Sequence, residues 1–118
     1  MLIPEAGQAQ IPYEKLEKYL LSDSHPVGKS KSIFFRGLGF SIDSIEEFEK
    51  AIRAIILQEP VQKTLATSYG IKYVVDGNLT GKGQISSPVR TVWIREAESS
   101  PRLVTVYPKD GLRKERVT

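Results

Sequence analysis

The strongest constraint on the fold is a change of residue pattern at Pro60, which divides the chain into two halves. Before Pro60, apolar residues recur at the three- and four-residue spacing of a helix. The clearest such stripe comprises Ile45, Phe48, Ile52, Ile55 and Ile56. After Pro60, β-branched and aromatic residues dominate, and short links between successive segments favour antiparallel neighbours. The pattern predicts an α+β domain in which three N-terminal helices pack on a four-stranded antiparallel β-meander.

Prolines, glycines and capping residues set the expected element bounds. We predict helices at about 12–22, 24–36 and 44–59. We predict strands at about 61–67, 71–79, 87–96 and 102–107. Ser44 and Glu47 have the spacing of a capping box at the start of the third helix. Residues 109–118 hold four basic side chains, so we expect a single domain over residues 1–108 and a basic C-terminal tail over 109–118.

Composition excludes several classes of protein. The chain has 118 residues, with 40% hydrophobic and 26% charged residues, which suits one folded domain. It has no cysteine, so disulfides, thiolate metal sites and cysteine nucleophiles are excluded. With one histidine and scattered acidic residues, we expect no metal and no cofactor. We see no signal-peptide pattern and no apolar run near the ~20 residues that span a bilayer, so we expect a cytoplasmic protein without a membrane partner.

Positive charge is concentrated in the second half of the chain. Residues 1–60 carry 7 basic and 9 acidic side chains, whereas residues 61–118 carry 10 and 5. The second half is therefore a candidate surface for a polyanion such as nucleic acid. A basic domain without such a partner is the alternative.

The single histidine, His25, lies in a segment that also holds Lys29 and Lys31. If Ser24 caps the second helix, His25 stands beside free backbone N–H groups, which attract phosphate and disfavour the imidazolium. His25 would then serve as a base near neutral pH, and an ordinary surface histidine is the alternative. Lys31 falls within the apolar arc of this helix. Either its stem is buried while the ammonium reaches solvent, or the ammonium points into a cleft over the sheet to meet a phosphate.

Polar and aromatic side chains alternate with valine and isoleucine along the third and fourth strands. We expect the valine and isoleucine side chains to face the helices. The other set would then line the open face, where an aromatic ring can stack on a base. This set comprises Thr91, Trp93, Thr105 and Tyr107. The alternatives are that Trp93 belongs to the core and that the threonines reflect β-propensity alone.

Three motifs carry a family resemblance that covers nearly the whole chain up to Pro108. They are His25-Pro26-Val27-Gly28 followed by Lys31, then Val89-Arg90-Thr91-Val92-Trp93, and Leu103-Val104-Thr105-x-Tyr107-Pro108. Together they resemble a small bacterial domain family of unassigned function, often encoded beside small antitoxin-like genes. That family in turn resembles the barnase–EndoU–colicin–RelE group of metal-independent ribonucleases.

The resemblance implies a toxin-like endoribonuclease paired with a small acidic antitoxin. In such an enzyme, the RNA 2′-OH attacks the neighbouring phosphate and leaves a 2′,3′-cyclic phosphate and a 5′-OH. The catalytic candidates carried over are His25, Lys31, Arg90, Thr105 and Tyr107. The RNA-binding candidates are Lys29, Lys82, Thr91 and Trp93. The alternative is a non-catalytic module that docks an acidic partner protein or RNA through its sheet face, and a third possibility is a small enzyme acting on a phosphate ligand.

Overall fold

The computed structural model describes residues 1–21 and 33–109, except for the side chains of residues 19–21. Its helices are α1 (Tyr13–Leu21), α2 (the helical residues 33–37) and α3 (Ile45–Gln58). Its strands are β1 (Lys63–Thr67), β2 (Gly70–Thr80), β3 (Ser86–Arg95) and β4 (Arg102–Pro108). The predicted order of helices followed by strands is confirmed, while the predicted start of the second helix at Ser24 lies outside the described residues.

The four strands form one antiparallel sheet in the order β1-β2-β3-β4, as predicted for a meander. The register between β3 and β4 shifts, because Val92 pairs with Thr105 while Trp93 pairs with Leu103. Val104 is therefore an extra residue in β4, which is the signature of a β-bulge. The bulge restarts the alternation of side chains, so that Leu103 and Val106 are both buried.

The core lies between α3 and one face of the sheet. All five residues of the predicted α3 stripe are buried, which confirms the helical period. Gly77 allows α3 to approach β2 closely, because a Cβ at that position would lie 2.8 Å from Cγ2 of Ile55. Phe48 of α3 also meets the rings of Phe35 and Phe40, with centroids 4.9 and 4.8 Å away.

The predicted capping box between Ser44 and Glu47 is wrong. A 3-10 turn, Ile42–Ser44, precedes α3, and the capping box forms there between Ser41 and Ser44. The backbone N–H of Ser41 donates to Oγ of Ser44 at 2.8 Å. The extra turn places the capping box three residues earlier than predicted, and the Ser44 side chain does not cap α3.

The N-terminal segment covers the outer edge of β4. The Gln10 N–H donates to the carbonyl of Pro101 at 2.7 Å, and the Gln10 carbonyl accepts from the N–H of Leu103 at 2.9 Å. This isolated parallel bridge occupies backbone groups that an edge strand would otherwise expose. Within residues 1–21 and 33–109, no helix combines the length and the apolar character needed to cross a membrane.

Candidate active site on the open sheet face

The sheet face opposite α3, called the open face below, carries two of the four residues predicted for it, Thr105 and Tyr107, but not the other two. Thr91 and Trp93 are both fully buried on the helix side. The Trp93 Nε1–H donates to Thr91 Oγ1 at 2.8 Å, and that hydroxyl donates to the Val75 carbonyl at 2.7 Å. The predicted open-face positions of Thr91 and Trp93 are therefore wrong, and neither side chain is accessible to RNA. The physical reason is that burying an indole ring removes more apolar surface from water than burying Val92, and Thr91 satisfies its polar N–H.

The open face instead carries a row of polar side chains across three strands, called the polar row and consisting of Asp76, Arg90 and Tyr107. Asp76 of β2 pairs with Arg90 of β3, which pairs with Tyr107 of β4. The Arg90 Nε–H donates to Asp76 Oδ1 at 2.8 Å, and its Nη2–H donates to Oδ2 at 2.9 Å. Nζ of Lys109 lies 3.6 Å from the same Oδ2. Cross-strand pairing thus brings two predicted catalytic residues, Arg90 and Tyr107, side by side.

The electrostatics of the polar row fix Arg90 as a cation. The Asp76 side chain is only 11% exposed, whereas that of Arg90 is 38% exposed. The hydrogen bond from Arg90 holds the pKa of Asp76 below its ordinary value, although burial opposes this shift. The hydrogen bond to Asp76, together with the neighbouring Tyr107 oxygen, raises the pKa of Arg90. The two hydrogen bonds to Asp76 also fix the orientation of the guanidinium. The exposed part of Arg90 is therefore an oriented cation at the surface.

Acid should therefore weaken this pair, and replacing Asp76 with asparagine should expose the effect. Because folding lowers the pKa of Asp76, its contribution to stability is complete above the unfolded-state pKa near 4 and is lost as pH falls through the folded-state pKa. We expect Asp76→Asn to cost about 1–2 kcal/mol of unfolding free energy at pH 7 and less at pH 2–3, measured by urea unfolding. Glu98→Gln, in an exposed turn, should cost under about 0.5 kcal/mol. An equal cost for Asp76→Asn at both pH values would contradict the ion pair.

Thr105 and Tyr107 reach the open face because of the bulge at Val104. Lys15 of α1 donates from Nζ to the Val104 carbonyl at 2.7 Å. Burial lowers the pKa of Lys15, and the neighbouring charges of Arg102 and Lys18 add to this effect. The lysine holds the carbonyl of the extra residue, so it helps to fix the register that sets Tyr107 beside Arg90. Thr105 is half-buried on the same face, opposite Val92.

Of the remaining predicted site residues, Lys82 does not join the polar row. Lys82 is exposed in the β2–β3 turn, and its N–H donates to the Leu38 carbonyl at 3.0 Å. Arg90 is four residues further along β3 than Ser86, where this turn closes, a separation of roughly 13 Å at the strand rise. Three other predicted site residues lie outside the described residues: His25, Lys29 and Lys31.

Sequence reasoning missed Asp76 and Lys109 as members of the site. The signal for Asp76 was present in the predicted hairpin. Counting back from the turn, where Thr80 pairs with Ser86, places Asp76 opposite Arg90. Within the described ranges 1–21 and 33–109, no three histidine, aspartate or glutamate side chains form a group that could hold a metal ion.

Fold and site together define an α+β domain with a locked arginine and a tyrosine side by side on the open face of its sheet. The chain belongs to the domain family of unknown function DUF6883, whose model matches residues 2–110. It is also similar to a chain of a contact-dependent growth inhibition toxin–immunity protein complex from Klebsiella pneumoniae 342. That match has a TM-score of 0.71 and 13% sequence identity, and it covers 91% of this chain and 98% of the other. At this identity the likeness is one of fold. No curated protein matches the chain.

Proposed function

We propose that this chain is a toxin-like, metal-independent endoribonuclease whose active surface is the open face. The observation that carries the proposal is the polar row. Its arginine is held by a largely buried carboxylate and keeps 38% of its side chain exposed beside a tyrosine hydroxyl. A cation that is already oriented can stabilise negative charge on a phosphate without reorganising during the reaction.

The proposed chemistry is an internal transfer at phosphorus. A general base takes the proton from the RNA 2′-OH while the O2′–P bond forms, and a general acid protonates the leaving O5′ as the P–O5′ bond breaks. Arg90 and Lys31 stabilise the charge on the phosphorane, and Thr105 hydrogen-bonds a phosphate oxygen. His25 is the base or the acid, and Tyr107 is its partner or positions a nucleobase.

The fold comparison supports the toxin-like part of the proposal. The similar chain comes from a complex of a growth inhibition toxin with an immunity protein. In the proposed function this chain acts in the cytoplasm, and a small acidic antitoxin protein holds it inactive in place of that immunity protein. This support concerns the role and the kind of partner, whereas the polar row supports the chemistry.

The direct test is to incubate the purified protein with total RNA in the presence of EDTA. The incubation is then repeated with an oligoribonucleotide of defined sequence. We expect cleavage products that end in a 2′,3′-cyclic phosphate and a 5′-OH by mass spectrometry. An oligonucleotide with 2′-O-methyl groups should resist cleavage, because it lacks the nucleophile. His25→Ala, Lys31→Ala and Tyr107→Phe should each slow cleavage by about 10²-fold or more, while Tyr13→Phe, an exposed tyrosine of α1, should not.

Products with 5′-phosphate ends, or no cleavage of any RNA, would contradict the proposed reaction. The second candidate is then a binding module, which is favoured by one observation: Asp76 already neutralises much of the Arg90 charge in the free protein. Its signature would be RNA or protein binding that persists in His25→Ala without any cleavage.

A further inference from the structure

The strand β1 is an edge strand that nothing in the described structure covers. It pairs with β2 on one side only. Its first four side chains, those of residues 63–66, are exposed, including the ones that point toward the helix side of the sheet. Every second residue of an edge strand directs its N–H and C=O away from its neighbour. The opposite edge of the sheet differs, because Gln10 and Lys15 hydrogen-bond to β4 there.

The turn that joins β1 to β2 is held in one conformation. Oγ1 of Thr67 accepts hydrogen bonds from the backbone N–H groups of Tyr69 and Gly70, both at 3.1 Å, and donates to the Gly70 carbonyl at 2.7 Å. Gly70 has a φ of +150°, and a Cβ there would lie 2.6 Å from the Arg95 carbonyl oxygen. The turn therefore presents Tyr69, which is 78% exposed, without an ordering cost on binding.

The surface chemistry of this hairpin is apolar and basic. Leu65 and Ile71 are 51% and 40% exposed. Residues 60–75 contain Lys63 and Lys72 but no acidic residue. Neither lysine forms an ion pair or a side-chain hydrogen bond within the described part of the chain. The hairpin thus offers two unpaired positive charges beside unpaired backbone groups.

We propose that β1 is a docking strand, which binds an extended acidic segment of a partner protein by adding it as a fifth strand to the sheet. Backbone hydrogen bonds supply the attachment in this mode of recognition, and alternate side chains supply the selectivity. Acidic residues of the added strand lie on the face that carries Lys63 and Lys72. Its apolar residues lie on the other face, beside Ala66 and toward Ile71. A second copy of this chain would bring the same lysines together, and RNA would leave the unpaired backbone unused. The proposal does not depend on RNA cleavage.

The test uses the full chain and a nine-residue peptide, blocked at both ends, in which glutamate alternates with valine. Isothermal titration should show binding that is about tenfold tighter than that of the same peptide with lysine in place of glutamate. Hydrogen exchange should show new protection of β1 amides. The double variant Lys63→Glu with Lys72→Glu should reverse this preference, whereas Lys50→Glu on α3 should keep it.

A further peptide, N-methylated along one edge, separates strand addition from simple charge attraction. It should lose binding, because its edge can no longer donate to β1. Equal binding of the methylated and unmethylated peptides would overturn the docking strand. So would the absence of peptide binding at millimolar concentration, a β1-mediated dimer in sedimentation, or β1 protection by an RNA oligonucleotide without protection by the peptide.

Discussion

Replacing Trp93 with alanine is expected to lower the free energy of unfolding by about 3–5 kcal/mol, as measured by urea denaturation. Trp93 is fully buried, so its removal leaves a cavity among the residues of the core. The Thr91 hydroxyl also loses the hydrogen bond that it accepts from Trp93 Nε1–H. Because natural domains are stabilised by only about 5–15 kcal/mol, a large part of the protein should unfold at moderate temperature.

Two milder variants keep this prediction testable if Trp93→Ala does not fold. Thr91→Val leaves the buried Trp93 Nε1–H without its acceptor and should cost about 1–3 kcal/mol. Val92→Ala, at the neighbouring position on the open face, removes a half-buried side chain and should cost less than Trp93→Ala. If Val92→Ala lowered the free energy of unfolding more than Trp93→Ala did, the core would lie on the opposite face of the sheet.

The face of β3 shows where sequence reasoning reached its limit. Hydrophobic period alone identified α3 correctly, because a helix leaves a stripe of five residues that only one face can bury. A strand such as Ser86–Arg95 gives no such unique answer. It alternates Val89, Thr91 and Trp93 with Arg90 and Val92, and both sets contain apolar residues. Choosing the face requires a comparison of volumes and of hydrogen-bond partners, and the partner of Thr91 is a carbonyl on β2.

The site, like the buried face of β3, could be predicted only in part from the sequence. Arg90, Thr105 and Tyr107 were chosen by resemblance, and the polar row contains two of them. The bulge at Val104, which sets Thr105 and Tyr107 on the open face, depends on tertiary contacts such as the Lys15 hydrogen bond. No local pattern in β4 encodes that contact, which spans 89 residues of sequence.

Replacing Arg90 with alanine is expected to lower the rate of RNA cleavage by about 10²–10³-fold, and mainly in kcat, if the proposed function holds. The guanidinium of Arg90 is the oriented cation of the polar row. No other described cation donates two hydrogen bonds to a carboxylate of the open face. Arg90→Lys keeps the charge but loses the fork geometry, so it should recover only part of the rate. Arg102→Ala, an exposed arginine at the far end of β4, should cleave at nearly the wild-type rate.

Loss of stability has to be separated from loss of catalysis in this experiment. Arg90→Ala leaves the carboxylate of Asp76, which is 11% exposed, without its main partner. Among the described residues, the remaining cation beside it is Lys109, at 3.6 Å. The double variant Asp76→Asn with Arg90→Ala removes that unpaired charge, so it should regain unfolding free energy over the single variant without regaining cleavage. A folded double variant that cleaves RNA at the wild-type rate would show that Arg90 contributes only to the stability of the sheet. The phosphate-stabilising role would then have to belong to a cation outside the polar row.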